Sequence, residues 1–144
     1  MISVRGLAGN HDAPDPVVYV VDDDRSMRRS LRRLLKVSGW QVRSFDSAEA
    51  FATELDQLSS GFLIVDIQLP GMSGLELLER LQEMRVPCPA IAISGSNDAS
   101  IEAEALRLGA KMFLYKPFDP QVLLGALEHM ILPSDLKPMR FSGQ

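Results

Sequence analysis

Five short runs of strand-forming residues recur along this chain, and an amphipathic helical pattern follows each of them. The runs are VVYVV (17–21), QVRSF (41–45), FLIVD (62–66), AIAIS (90–94) and MFLYK (112–116). Their near-continuous apolar character suits strands covered on both faces, as in a parallel sheet. Strand–helix alternation with short loops implies right-handed crossovers. The fold class is therefore α/β, with an open, doubly wound five-stranded parallel sheet. No other feature of the chain narrows the choice of fold so far.

The helices carry their own start and stop signals. Met27, Leu31, Leu34 and Leu35 fall at i, i+4, i+7 and i+8, one buried face, and Gly39 stands where a left-handed residue ends a helix. Asp24 is read as the cap of this helix, and Ser47 as the cap of a second helix over 48–57. Ser73 with Glu76 forms a capping-box pattern before Leu77, Leu78 and Leu81. Asp98 opens a fourth helix that Gly109 closes, and Asp119 followed by Pro120 opens the last one. Residues 1–16 are rich in Gly, Asp, Pro and Asn and are expected to form a flexible leader. Residues 132–144 read as a short tail, with no output domain expected beyond residue 131.

Composition excludes several function classes. At 144 residues, 46% hydrophobic and 24% charged, the chain has the balance of one ordinary globular domain. A net charge of −4 argues against nucleic-acid binding by the chain as a whole. No apolar run approaches the roughly 20 residues of a membrane span, and the first residues lack the apolar centre of a secretory signal. A single cysteine, Cys88, allows no internal disulfide and suits a reducing cytoplasm; its PCP setting makes it structural.

In an open α/β sheet, ligands bind beyond the carboxyl ends of the strands. Strand one delivers Asp22 and Asp23 there, strand three Asp66, strand four Ser94 and strand five Lys116. Clustered carboxylates resist ionising together without a compensating cation. A hard divalent ion meets that need, Mg2+ best of all, because it keeps several waters and needs only one or two carboxylates. Lys116 suits an anionic oxygen and Ser94 can donate a hydrogen bond to the same anion. Carboxylates, magnesium, lysine and hydroxyl together suit phosphoryl transfer, with one carboxylate as nucleophile. Asp66, on a central strand between the Asp22/Asp23 pair and Lys116, is the best placed.

Four segments, VVDDDRSMRRSL, LIVDIQLPGMSGLELL, AIAISGSND and GAKMFLYKPF, make the chain from about 17 to 131 resemble the receiver domain of two-component response regulators. The resemblance implies a flavodoxin-like sheet of order 2-1-3-4-5. It implies that Asp66 accepts a phosphoryl group from a sensor histidine kinase or a histidine phosphotransfer protein. Asp22, Asp23 and Asp66, with the main-chain carbonyl of Gln68, would hold Mg2+. Ser94 matches the switch hydroxyl, Lys116 the phosphate partner and Phe113 the aromatic switch position. The Lys116–Pro117 bond is expected to be cis, turning Lys116 towards Asp66.

Phosphorylation would then draw Ser94 and Lys116 inward and let Phe113 rotate beside strand four. That would alter the surface of the fourth helix, strand five and the last helix, where a downstream protein target or a second copy would bind. Ser94 stands where many receivers have threonine, and Phe113 lacks the hydroxyl of a tyrosine switch. Arg25, Arg28, Arg29, Arg32, Arg33 and Lys36 crowd the first helix. They read either as a solvated face or as a docking surface for an acidic kinase or phosphotransfer domain. Trp40 is expected to pack at the sheet end remote from the site, and neither His11 nor His129 is placed for phosphotransfer. The expected function is a cytoplasmic signalling switch rather than an enzyme. Two alternatives remain: a receiver fragment of a transcriptional regulator, and a Mg2+-dependent aspartyl-phosphate phosphatase. The phosphatase would require an acid/base aspartate where Gln68 stands, and a substrate cap.

Overall fold

The five apolar runs pair side by side as one parallel sheet. The computed structural model describes residues 16–58 and 61–131. The strands are β1 (Val17–Val21), β2 (Gln41–Phe45), β3 (Gly61–Asp66), β4 (Ala90–Ser94) and β5 (Met112–Tyr115). Their order is β2-β1-β3-β4-β5, as the resemblance implied. Val21 lies level with both Phe45 and Val65, and Ser94 with Tyr115, so the carboxyl ends of the strands finish at one rim. The expected leader and tail, with His11, lie outside the described residues.

Strand composition follows position in the sheet. β1, β3 and β4 are buried at every residue, whereas the edge strands β2 and β5 each leave some positions open. Alternation sorts the central side chains into two cores. Tyr19, Val21, Leu63, Val65 and Ala92 pack with Phe51, Leu77, Leu81 and Ala105 on one face. Val18, Val20, Ile64, Ile91 and Ile93 pack with Leu31, Leu35, Leu123 and Leu127 on the other.

Helices α1 (Arg25–Val37), α2 (Ala48–Ala52), α3 (Gly74–Glu83), α4 (Ala99–Arg107) and α5 (Pro120–Ile131) supply these layers. Asp24, Ser47, Ser73 and Asp98 cap them through backbone N–H groups, and Ser73 and Glu76 complete the capping box. Asp119 accepts from Gln121 N at 2.9 Å at the start of α5. On α1, Leu31 and Leu35 are fully buried, while Met27 and Leu34 only flank the core.

The second helix is shorter than its cap suggested. It stops at Ala52, and a separate 3-10 turn covers Leu55–Gln57. The Thr53 hydroxyl donates back to the Ala50 carbonyl at 2.8 Å, a bond that competes with helix continuation. Glu54 then reaches across to Arg43 of β2 at 2.7 Å. Trp40 packs edge-on against Phe62, ring centroids 5.8 Å apart, near the amino ends of the strands. Among the described residues no helix is long and apolar enough to cross a membrane.

Candidate functional site

Each rim residue is fixed by the strand that carries it. Asp22 directly follows β1 and is fully buried; its N–H donates to the Phe45 carbonyl of β2 at 3.2 Å. Its Oδ1 accepts from Asp24 N at 2.8 Å, while Asp24 caps α1. The Arg28 guanidinium donates to the Asp22 carbonyl at 2.7 Å, so this arginine turns towards the site while its exposed neighbours Arg29, Arg32 and Arg33 stay in solvent.

Asp66 ends β3 and is 5% exposed. Its Oδ1 accepts from Gln68 N at 2.8 Å and its Oδ2 from Lys116 Nζ at 2.8 Å. Lys116 also donates to Asp22 Oδ2 at 3.1 Å, so one ammonium bridges two nearly buried carboxylates. It lies just past β5, with its N–H on the Ser94 carbonyl at 2.8 Å and a cis bond to Pro117. Oxygens of Asp22, Asp23 and Asp66 lie within 4.8 Å of one another, with Asp23 exposed to solvent.

The loop after Asp66 is held closely. A Cβ on Gly74 would meet the Asp66 carbonyl oxygen at 2.4 Å, so only glycine lets α3 start against the end of β3. Further along, Met72 N donates to Glu49 Oε2 of α2 at 2.8 Å, and this bond is the main cause that lowers the Glu49 pKa. Ser94, fully buried at the end of β4, donates to Gln68 Oε1 at 3.2 Å and accepts from Ser96 N at 3.0 Å.

Three carboxylates gather here around one bridging ammonium. Burial is the main cause that raises the Asp22 pKa; the Asp66 charge adds to it, while the Asp24 N–H and Lys116 oppose it. For Lys116 burial works against the charged form, but hydrogen bonds to Asp66 and Asp22 outweigh it and the net shift is upward. Buried carboxylates opening onto an exposed one make a donor set that fits a hard divalent cation.

The expected residues Asp22, Asp23, Asp66, Gln68, Ser94 and Lys116 thus gather at one rim. Phe113 lies apart, on β5, nearly buried beside Ala92 of β4 and stacked edge-on against Tyr115 with centroids 5.0 Å apart. Several contacts among the described residues were missed in the sequence. Glu49 reaches Met72, and the Tyr115 hydroxyl donates to Glu102 of α4, raising the tyrosine's pKa. Strand parity alone places Tyr115 on the same face as Phe113. Nothing local marks Glu102 or Glu49 as partners.

Known proteins share the sequence pattern and the fold of this chain. The family model for the response regulator receiver domain matches residues 18–128. The transcriptional regulatory protein FixJ of Bradyrhizobium diazoefficiens is 41% identical over 114 residues, covering 79% of this chain and 56% of FixJ. The chain therefore spans about half the length of the curated relatives it matches. The crystal structure of FixJ-N superposes with a TM-score of 0.76 at 37% identity, over 81% of this chain and 93% of that one. A response regulator protein from Burkholderia pseudomallei, solved with a phosphorylated aspartic acid, calcium ion and citrate, has a TM-score of 0.72 at 26% identity, over 78% of this chain and 66% of that one. With the 2-1-3-4-5 parallel sheet, and with aspartates and a lysine meeting at its carboxyl rim, the matched stretch of residues 18–128 establishes that this chain belongs to the response regulator receiver domain family.

Proposed function

We propose that this receiver is switched by phosphorylation of Asp66, with Mg2+ bound by Asp22, Asp23, Asp66 and the Gln68 carbonyl. The observation that carries the reading is the Lys116 ammonium, 2.8 Å from one Asp66 oxygen and 3.1 Å from Asp22. It neutralises charge on the acceptor and stands ready to pair with an added phosphoryl oxygen. The cation supplies further charge neutralisation when bound.

The donor is a phosphohistidine on a sensor histidine kinase or histidine phosphotransfer protein. An Asp66 carboxylate oxygen forms the new P–O bond as the P–N bond breaks, and the imidazole nitrogen leaves with the electron pair. No proton has to be removed from Asp66, so no general base is required at the rim. The role is that of a switch: the chain modifies itself and turns over no external substrate.

Ser94 and Lys116 then bind the phosphoryl oxygens, and Phe113 follows into space vacated beside β4. Leu106 of α4, Tyr115 of β5 and Val122 of α5 are exposed. They support an output read by protein contact, with a downstream target or a second copy through the last two helices. The exposed arginines of α1 support docking of an acidic donor, and a cytoplasmic setting follows from the proposed partners. We assign the receiver unit to 17–131.

A second reading has its own support. The relatives are about twice as long as the matched stretch and include a transcriptional regulatory protein, which suits a receiver portion of such a regulator. Both readings require the same chemistry.

The test is incubation with Mg2+ and a small acyl-phosphate donor, followed by intact mass. Wild type is expected to gain one phosphoryl group and Asp66→Asn none. Equal modification of both, or steady turnover of unrelated phosphate esters, would overturn the reading.

A further inference from the structure

A hydroxyl has one proton to donate. In this structure the proton of Ser94 is already engaged: Ser94 Oγ donates to Gln68 Oε1 at 3.2 Å, while its lone pair accepts from Ser96 N at 3.0 Å. The serine is fully buried and the Gln68 side chain is exposed, lying over Gly95, where a Cβ would sit 3.8 Å from its Oε1. The same glutamine donates its backbone N–H to Asp66 Oδ1 at 2.8 Å. One residue therefore holds the acceptor carboxylate through its main chain and the buried hydroxyl through its side chain.

We infer that the Gln68 side chain is a positioning residue that competes with the phosphoryl group for the single Ser94 proton. This rests on the function proposed above, in which Ser94 donates to a phosphoryl oxygen on Asp66. The hydroxyl cannot serve both acceptors, so engagement of the phosphoryl group requires the Gln68 bond to break. Gln68 then returns to solvent, where its exposed amide is easily hydrated. The competition biases the unmodified protein towards the form in which Ser94 turns away from Asp66. A side chain at this position with no acceptor oxygen leaves Ser94 uncommitted and makes the phosphoryl-bound form easier to reach.

A hydrogen bond of this kind shifts such an equilibrium by a few-fold, up to about tenfold. The probe is beryllofluoride, a phosphoryl mimic that coordinates an aspartate oxygen, titrated with saturating Mg2+ and followed by fluorine NMR. Gln68→Met keeps the length of the side chain and replaces its acceptor oxygen by a weakly accepting sulfur, and Gln68→Ala removes the side chain beyond Cβ; both lie at an exposed position. Each variant is measured with Ser94 intact and with Ser94→Ala. The expected result is that both Gln68 variants bind beryllofluoride a few-fold more tightly than wild type, and that the gain vanishes in the Ser94→Ala background. Unchanged or weaker binding overturns the inference, as does an equal gain in both backgrounds. Failure of wild type itself to bind the probe would instead overturn the proposed function, and the inference with it.

Discussion

Burying one carboxylate beside another opposes folding unless something neutralises it, and Asp22 is fully buried next to Asp66. Burial first, and the Asp66 charge after it, raise the Asp22 pKa in the folded state. A raised carboxylate favours folding below its unfolded value near 3.8 and loses that contribution as pH rises through the folded value. Ionising Asp22 in the folded protein therefore works against stability. Asp22→Asn removes the buried like charge while Lys116 keeps Asp66 as its partner, and is expected to stabilise the metal-free protein by about 1 kcal/mol in denaturant titration. Added Mg2+ should narrow that gap by stabilising wild type; a less stable variant without metal would contradict the account. Cys88 follows the same sign on an alkaline scale, its thiol pushed up by burial from 9.0 to about 12. Its contribution is complete below about pH 9 and is lost as pH approaches 12. The native thiolate fraction at pH 8 is then about a thousandfold below that of a free thiol, so alkylation should be slow until the chain is unfolded. Native labelling as fast as denatured labelling would be inconsistent. Asp22, Asp66, Ser94 and Lys116 were legible because strand ends announce themselves in one dimension. The bonds from Gln68 to Ser94 and from Glu49 to Met72 join residues whose nearness only the fold creates.

Among the described residues three helices end in the same geometry, and the sequence announced two of them. After α1, Gly39 N donates to Lys36 O and Trp40 N to Leu35 O; after α4, Gly109 and Ala110 repeat the pattern on Leu106 and Ala105. After α3 the pattern recurs with Arg85 N on Gln82 O and Val86 N on Leu81 O. The left-handed position there is held by an arginine at φ 56, and without a glycine no stop signal could be read. A side chain in this conformation is strained by about 1 kcal/mol or more. Arg85→Gly is accordingly expected to raise stability by about 0.5–1 kcal/mol, the greater freedom of glycine in the unfolded chain offsetting part of the relief. A thermal unfolding midpoint below that of wild type would contradict the cap assignment. The shortening of α2 was illegible for the opposite reason. A start signal at Ser47 says nothing of where Thr53 and Glu54 find other partners.

At the scale of the whole molecule, the sheet divides two kinds of work. Its two faces are closed by apolar cores, while Asp22, Asp23, Asp66, Ser94 and Lys116 collect at the carboxyl rim, away from Trp40 and Phe62. Apolar runs and caps were sufficient to read five βα units and the rim chemistry. Strand order came from the resemblance, because periodicity does not say which strands pair. Edge exposure at β2 and β5 follows from that order rather than from composition. The central claim is that this rim carries a phosphoryl group on Asp66 and on no other carboxylate of the cluster. The most direct measurement is to phosphorylate the protein with a small acyl-phosphate donor and Mg2+, reduce it with borohydride, and sequence its peptides by mass spectrometry. Reduction of an acyl phosphate converts its aspartate to homoserine. The account predicts homoserine at position 66 alone; homoserine at 22 or 23, or at none of the three, would contradict it.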